Sequence, residues 1–178
     1  MPPKTDKTET TALSYAEIEI ANRLFFRLYQ CANMLHKTGT RAIEEEGLTT
    51  QQWAVLGALS RPQSAHGMKL GDLARYLMVS RQNLAGVIGR LERDGRVESA
   101  SDPQDGRSRL IRMTAVGQKV WRQKALPKIH TYYAQALEGF SFNDMTHSLH
   151  YLLLILDNMR QLDDPEDIAP DTEAPPVL

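Results

Sequence analysis

From Tyr15 to Glu46 the apolar residues Ala21, Leu24, Leu28, Cys31, Ala32 and Leu35 recur every three or four positions, and Ile18, Phe25 and Tyr29 widen the stripe. That period predicts one long amphipathic helix, stopped at Gly47, a residue suited to the left-handed turn after a helix. A helix this long in a small domain needs a partner surface. Thr49, followed three residues later by Gln52, is a capping-box signature and opens a second helix that runs to Leu59. The stretch 61–67, with Pro62, Ser64 and Gly67, reads as a loop.

The next pattern organises the chain. Leu70, Leu73, Ala74 and Leu77 mark a short helix. Met78-Val79-Ser80 follows, and Leu84, Ile88 and Leu91 then mark another helix. Ser80 is a good N-cap, and Gly95 supplies the stop. Two short helices joined by a tight turn form a helix-turn-helix. Arg96–Ala100 and Leu110–Met113 read as strands with Val97, Ile111 and Met113 inward, and the Pro-, Asp- and Gly-containing segment 101–109 reads as the hairpin loop between them. This is a β-wing, and the order helix, turn, helix, basic hairpin suits a second helix that enters the DNA major groove.

Thr114 caps a further helix running through Gly139, expected to bend at Pro127. Ser141 opens the last one, with Leu149, Leu152, Leu153, Leu156 and Met159 expected inward. Residues 152–156 are apolar all round, which calls for burial on every side, and in so small a chain a subunit interface supplies it. The fold class is mainly α with a small β wing. Residues 61–114 would form the winged helix-turn-helix lobe, 15–60 and 115–161 long N- and C-terminal dimerisation helices, 1–14 a disordered arm, and 162–178 a disordered acidic tail.

Composition changes this picture at one point. The net charge of −1 looks wrong for a DNA-binding protein, but residues 162–178 hold six acids and no Lys or Arg, so 1–161 carries −1 − (−6) = +5. Seven arginines lie between Arg81 and Arg112. The longest apolar run, Tyr151 to Leu156, is far short of the ~20 residues of a membrane span, and no signal peptide is read at the start. A single cysteine, Cys31, forms no intrachain disulfide and suits the reducing cytoplasm.

Several of these motifs together resemble the MarR family of bacterial transcription regulators. They are Leu73-Ala74 with Leu77, Ser80, Leu91-Glu92 with Gly95 and Val97, and the wing run Asp102 to Ser108 with its Asp105-Gly106-Arg107. Met113-Thr114-Ala115-Val116-Gly117 matches the family's L-T-x-x-G with Met for Leu, and Leu48 to Leu56 matches its second-helix entry. The resemblance implies that the first and last helices pair two subunits. It also implies that Arg107 inserts into the minor groove with Asp105 orienting it, and that small aromatic acids bind between the dimer helices and the DNA-binding lobe.

The recognition helix should put Ser80, Arg81, Gln82 and Asn83 on the DNA, because its first turn meets base edges. Arg grips guanine, and Gln or Asn grips adenine. The plain alternative is an ordinary polar helix surface. Gly86 is odd, as is Gly89, since an interior glycine weakens a helix. Many relatives carry a long polar residue at the position of Gly86, so either a base contact is missing or the backbone comes closer to the DNA. Arg90, Arg109 and Arg112 read as phosphate contacts. For a ligand, Phe25 to Tyr29 resembles the first-helix segment in which salicylate-binding relatives place an arginine, here Arg27, whose fork suits a carboxylate. Arg23, His36 and Trp53 could line the same pocket. An ion pair is the alternative for Arg27, and core packing is the simpler account of His36 and Trp53.

The expectation is a homodimeric regulator, a repressor, on a near-palindromic double-stranded operator, released by a small aromatic carboxylate effector. It needs no cofactor and no membrane. A thiol-switched redox sensor through Cys31 is one rival, although the family's reactive cysteine falls at Phe25 and a small core residue is the simpler reading of Cys31. A winged-helix protein-interaction module is another. His147 and His150 stand at i, i+3 but lack further metal ligands, and no local signature supports an enzyme.

Overall fold

A computed structural model of the chain describes residues 12–102 and 105–163, with only the backbone at 105–108. The expected arm up to residue 11, the tail from 164 and wing residues 103–104 lie outside the described residues, as do the side chains of Asp105 and Arg107.

Helix α1 (Tyr15–Ile43) starts at Ser14, whose hydroxyl accepts from the Glu17 N–H while the Glu17 carboxylate accepts from the Ser14 N–H at 2.8 Å. The expected arm therefore hands its last residue to a capping box. The far end tightens into a 3₁₀ turn over Glu44–Glu46, and Gly47 at φ 61° takes the left-handed position that the sequence reading gave it. In α2 (Thr50–Leu59) the expected box is present: Thr49 N–H donates to Gln52 Oε1 at 2.9 Å, which satisfies a buried glutamine.

The 61–67 segment holds a 3₁₀ turn at Pro62–Ser64 and leads into a short strand that was not expected, β1 (Met68–Lys69). Helix α3 (Leu70–Leu77) ends at Met78, the one non-glycine residue with positive φ (54°) among the described residues. Ser80 caps α4 (Arg81–Arg93) by accepting from the Asn83 N–H at 3.2 Å. Strands β2 (Val97–Asp102) and β3 (Asp105–Met113) are longer than expected. Ser101 pairs with Arg109 and Asp102 with Asp105, so most of the anticipated loop is ladder. The sheet is antiparallel in the order β1-β3-β2.

One core joins these elements. Leu73, Leu84, Leu91, Leu56 and Ile43 are at most 1% exposed, and Val97, Ile111, Trp121 and Ile129 pack with them. The core thus reaches beyond 61–114, to α2 and to the segment after the wing. Thr114 caps α5 (Ala115–Val120) through the Gly117 N–H at 3.0 Å, and its hydroxyl donates to the Gly95 carbonyl at 2.6 Å. At Gly117 a Cβ would overlap the Arg96 carbonyl oxygen, so only glycine allows this crossing. The irregularity expected at Pro127 lies one turn earlier, as a π-helical turn over Trp121–Ala125, before α6 (Leu126–Ala136). The wider turn precedes the ring that would clash with the carbonyl four residues back.

The chain divides into two compact units, through Tyr133 and from Ala134. The second contains α7 (Phe142–Asp163), capped by Ser141 and Asp144. No residue of α7 is buried. Leu149, Leu152 and Met159, expected inward with their burial supplied by a subunit interface, are 46–47% exposed in the single chain. No described helix is long and apolar enough to cross a membrane.

Candidate nucleic-acid interface

In α4, Leu84, Val87, Ile88 and Leu91 form the buried face. At 3.6 residues per turn the residues opposite them are Gln82, Gly86, Gly89 and Arg93. Ser80, Arg81, Gln82, Asn83, Gly86 and Arg90 are all exposed on the helix or at its cap, so the structure gathers these expected DNA residues on one element. Arg93 joins them. The sequence reading passed it over, although its place eleven residues after Gln82 puts it on the same line.

The residues have other duties as well. Ser80 spends its oxygen on the helix cap. The Arg81 guanidinium lies over Gly71 of α3, so close that an added Cβ there would meet it at 3.3 Å. Packing of this kind holds an arginine at the junction of the two helices, where a base or phosphate can receive it.

In the hairpin, Arg109 donates to the Ser99 carbonyl at 3.0 Å. Arg112 bonds its cross-strand partner Glu98 at 2.7 Å. Arg112 therefore reaches a phosphate only by exchanging or sharing that carboxylate. Arg107 sits in β3, two residues past the strand's first position. The buried Asp102, last residue of β2, is tied to β1 by Lys69, 3.3 Å away.

Arg96 is a further residue the sequence reading missed. It donates to the carbonyls of Glu46 (2.6 Å) and Gly47 (3.0 Å). These are end-of-helix carbonyls without intrahelical partners, so Arg96 clamps the end of α1 to the start of the wing. Beside it Lys128 bonds Glu45 (2.6 Å) and Glu46 (2.8 Å). The hydrogen bond from Lys128 holds the Glu46 carboxyl below its usual range, and both glutamates raise Lys128.

The expected ligand residues separate into two groups. Arg27 and Arg23 are exposed on α1, where Arg27 donates to Gln30 at 2.7 Å. His36 lies nine residues on, about half a turn round and roughly 13 Å along the helix, so it does not share a face with Arg27. Its Nδ1 is 3.1 Å from Thr50 Oγ1, and that hydroxyl is 2.8 Å from Thr40 Oγ1. Trp53 is half-buried nearby against Tyr132 and Tyr133, with ring centroids 6.0 and 5.7 Å away. Tyr132 in turn meets Thr38 at 3.0 Å, and burial raises the Tyr133 hydroxyl pKa. Cys31 is exposed, which corrects its reading as a core residue within one chain.

Comparison with known proteins agrees with this arrangement. The family model described as "MarR family" matches residues 46–108, from the end of α1 through the wing. The chain is 70% identical over 149 residues to the transcriptional activatory protein BadR of Rhodopseudomonas palustris, covering 84% of this chain and 85% of that one. It is 32% identical over 127 residues to the homoprotocatechuate degradative operon repressor of Escherichia coli, covering 70% of this chain and 83% of the relative. The solved transcriptional regulator PA4135 superposes with a TM-score of 0.62 at 28% identity, covering 83% of this chain and 98% of that one. These relatives are regulators rather than enzymes. The chain belongs to the MarR family of DNA-binding, winged-helix transcriptional regulators.

Proposed function

We propose that the protein works as a homodimer on a near-palindromic operator, with Arg81, Gln82 and Asn83 of each α4 on base edges, Arg90, Arg109 and Arg112 on phosphates, and Arg107 of each wing in the flanking minor groove. The observation that carries this reading is the outward face of α4, polar and basic at its two ends, where Gln82, Gly86 and Arg93 are exposed and Gly89 is partly so. Two such helices must meet major grooves about 34 Å apart, which a two-fold dimer provides. The exposed apolar residues of α1 (Ile20, Leu24, Leu35) and of α7 (Leu149, Leu152, Met159) supply surface for a second copy to cover. A partner of this kind places the protein in the cytoplasm with the chromosome.

The effector in this reading is a small aromatic carboxylate. Support comes from the relative named for a homoprotocatechuate degradative operon, from Arg27, and from the aromatic surface at Trp53, Tyr132 and Tyr133. Because Arg27 and Trp53 do not meet within one chain, the carboxylate and the ring use either one of these places or a site completed by the second copy. Full release requires the ligand to favour the unbound arrangement by about 5.5 kcal/mol, a load two ligands can share. Repression is the direction expected from sequence. The 70% identical relative named as activatory favours a second reading, in which the same dimer promotes transcription when liganded.

Calorimetry with hydroxybenzoates and hydroxycinnamates, beside anisotropy on operator DNA, tests the site. Wild type should bind at least one acid, and Arg27→Ala should bind it about tenfold more weakly. Equal binding by the variant would make Arg27 a surface residue and leave the Trp53 cluster as the site.

A further inference from the structure

The outward line of α4 carries long side chains at its two ends, Gln82 and Arg93, and none between them, where Gly86 and Gly89 stand with Ala85 alongside. Two interior glycines weaken a helix relative to alanine, so something must require them. The fold does not. A Cβ at either position would meet nothing within 4 Å. Neither residue is among the glycines with positive φ, so alanine fits the backbone of both. Gly117 marks the contrast, since there the chain itself fills the space. Whatever excludes a side chain at Gly86 and Gly89 lies outside the protein.

This argument rests on the reading of α4 as the major-groove helix. A helix with its side chains is about 10–12 Å across, and the groove is about 12 Å wide and 8.5 Å deep. A helix bearing full side chains therefore fills the groove before its backbone nears the bases. With a bare middle, the backbone itself can reach them. We propose that Gly86 and Gly89 are specificity-determining positions: they bring the backbone of α4 against the base edges at the centre of each half-site, where it packs on thymine methyl groups. The methyl is the apolar group that the major groove presents, and a polypeptide surface without side chains accepts it by shape. Hydrogen bonding from Arg81, Gln82 and Asn83 is then confined to one end of the half-site.

The test uses the full chain and DNA selected from a random pool by the wild-type protein. Gly86→Ala and Gly89→Ala should each raise the melting temperature by about 2–4 °C through helix propensity. Each should weaken binding to the selected DNA by about tenfold or more, and leave binding to unrelated DNA within about twofold. Replacing half-site thymines by deoxyuridine should weaken wild type several-fold and the variants less. Unchanged affinity for the selected DNA overturns the proposal, and so does a fall in melting temperature, which would mean a packing role. Loss on alanine substitution without sensitivity to deoxyuridine overturns the methyl contact. Asn83→Ala and Arg90→Ala are the controls. If they also leave affinity unchanged, α4 is not the DNA-contacting helix and the function proposed above falls. If they weaken binding and the glycine variants do not, only the glycine assignment falls.

Discussion

Leucines in the unit that ends at Tyr133 and leucines in α7 have different surroundings. Leu73, Leu84 and Leu91 are at most 1% exposed, enclosed by α2, α3, α4 and the wing. Leu149, Leu152 and Leu154 are 47–48% exposed, and α7 buries nothing. The helix-turn-helix is amphipathic because its own chain covers one face and leaves the other open. Helix α7 is apolar on several faces, and none of its residues is buried. Such a surface is made for association. The first unit completes its own core, whereas α7 is completed by something else, which in our reading is a second copy.

Paired substitutions separate the two regions most strongly. Leu91→Ala removes a fully buried side chain and should cost about 2–5 kcal/mol of stability, seen in chemical denaturation. Leu152→Ala should change the stability of the isolated chain by less than about 0.5 kcal/mol. It should weaken the dimer by about 1–3 kcal/mol, read by sedimentation equilibrium. If Leu152→Ala unfolded the chain without dissociating a dimer, the contrast between the regions would be wrong.

A substitution in the wing sharpens the same contrast from the other side. Arg107→Ala should lower affinity for operator DNA by about 1–3 kcal/mol across sequences, the loss of a charged hydrogen bond, and leave the dimer intact. Fluorescence anisotropy at physiological salt measures it, and unchanged affinity would remove the wing from the interface.

The helix-turn-helix was legible because every local signal pointed the same way: the spacing of Leu70, Leu73 and Leu77, the Ser80 cap, and Gly95 at φ 65°. What stayed hidden depends on partners distant in sequence. Strand β1 is two residues long, and only its pairing with Ile111 and Leu110 defines it. Arg96 looks like one more basic residue until the fold brings the carbonyls of Glu46 and Gly47 to it across about fifty positions of sequence. The expected loop became ladder because Ser101 and Asp102, in a segment rich in turn formers, still pair with Arg109 and Asp105 across the hairpin. For the ligand residues, sequence could place Arg27 and His36 on one helix. Their spacing of nine residues, two and a half turns, already sets them on opposite faces, a consequence that placing both in one pocket overlooked.

The smallest effect expected is on the response of the two regions to acid. In the first unit the hydrogen bond from Lys128 holds Glu46 below its ordinary value of 4.5. In α7 the side-chain hydrogen bond from Ser141, followed by that from its backbone, holds Asp144 below 3.8. Both carboxyl groups are lowered in the folded state. Each therefore contributes stability that is present above its unfolded value and lost as pH falls through the folded one. Lys128 is raised above 10.5, so its contribution is complete below that value and fades as pH rises past it. The Glu46–Lys128 pair thus acts between the carboxylate range and the lysine range, across neutral pH. Glu46→Gln should flatten the acid limb of the melting-temperature profile for the first unit. Asp144→Asn should leave that limb in place and fray only the start of α7, which local amide exchange would detect. Asp144 is exposed, and Glu46, although its side chain is only 12% exposed, pairs with a lysine that solvent reaches, so these shifts should be smaller than any of those above. An acid limb unchanged by Glu46→Gln would mean that the Glu46–Lys128 bond adds nothing to what Arg96 supplies through backbone carbonyls that do not titrate.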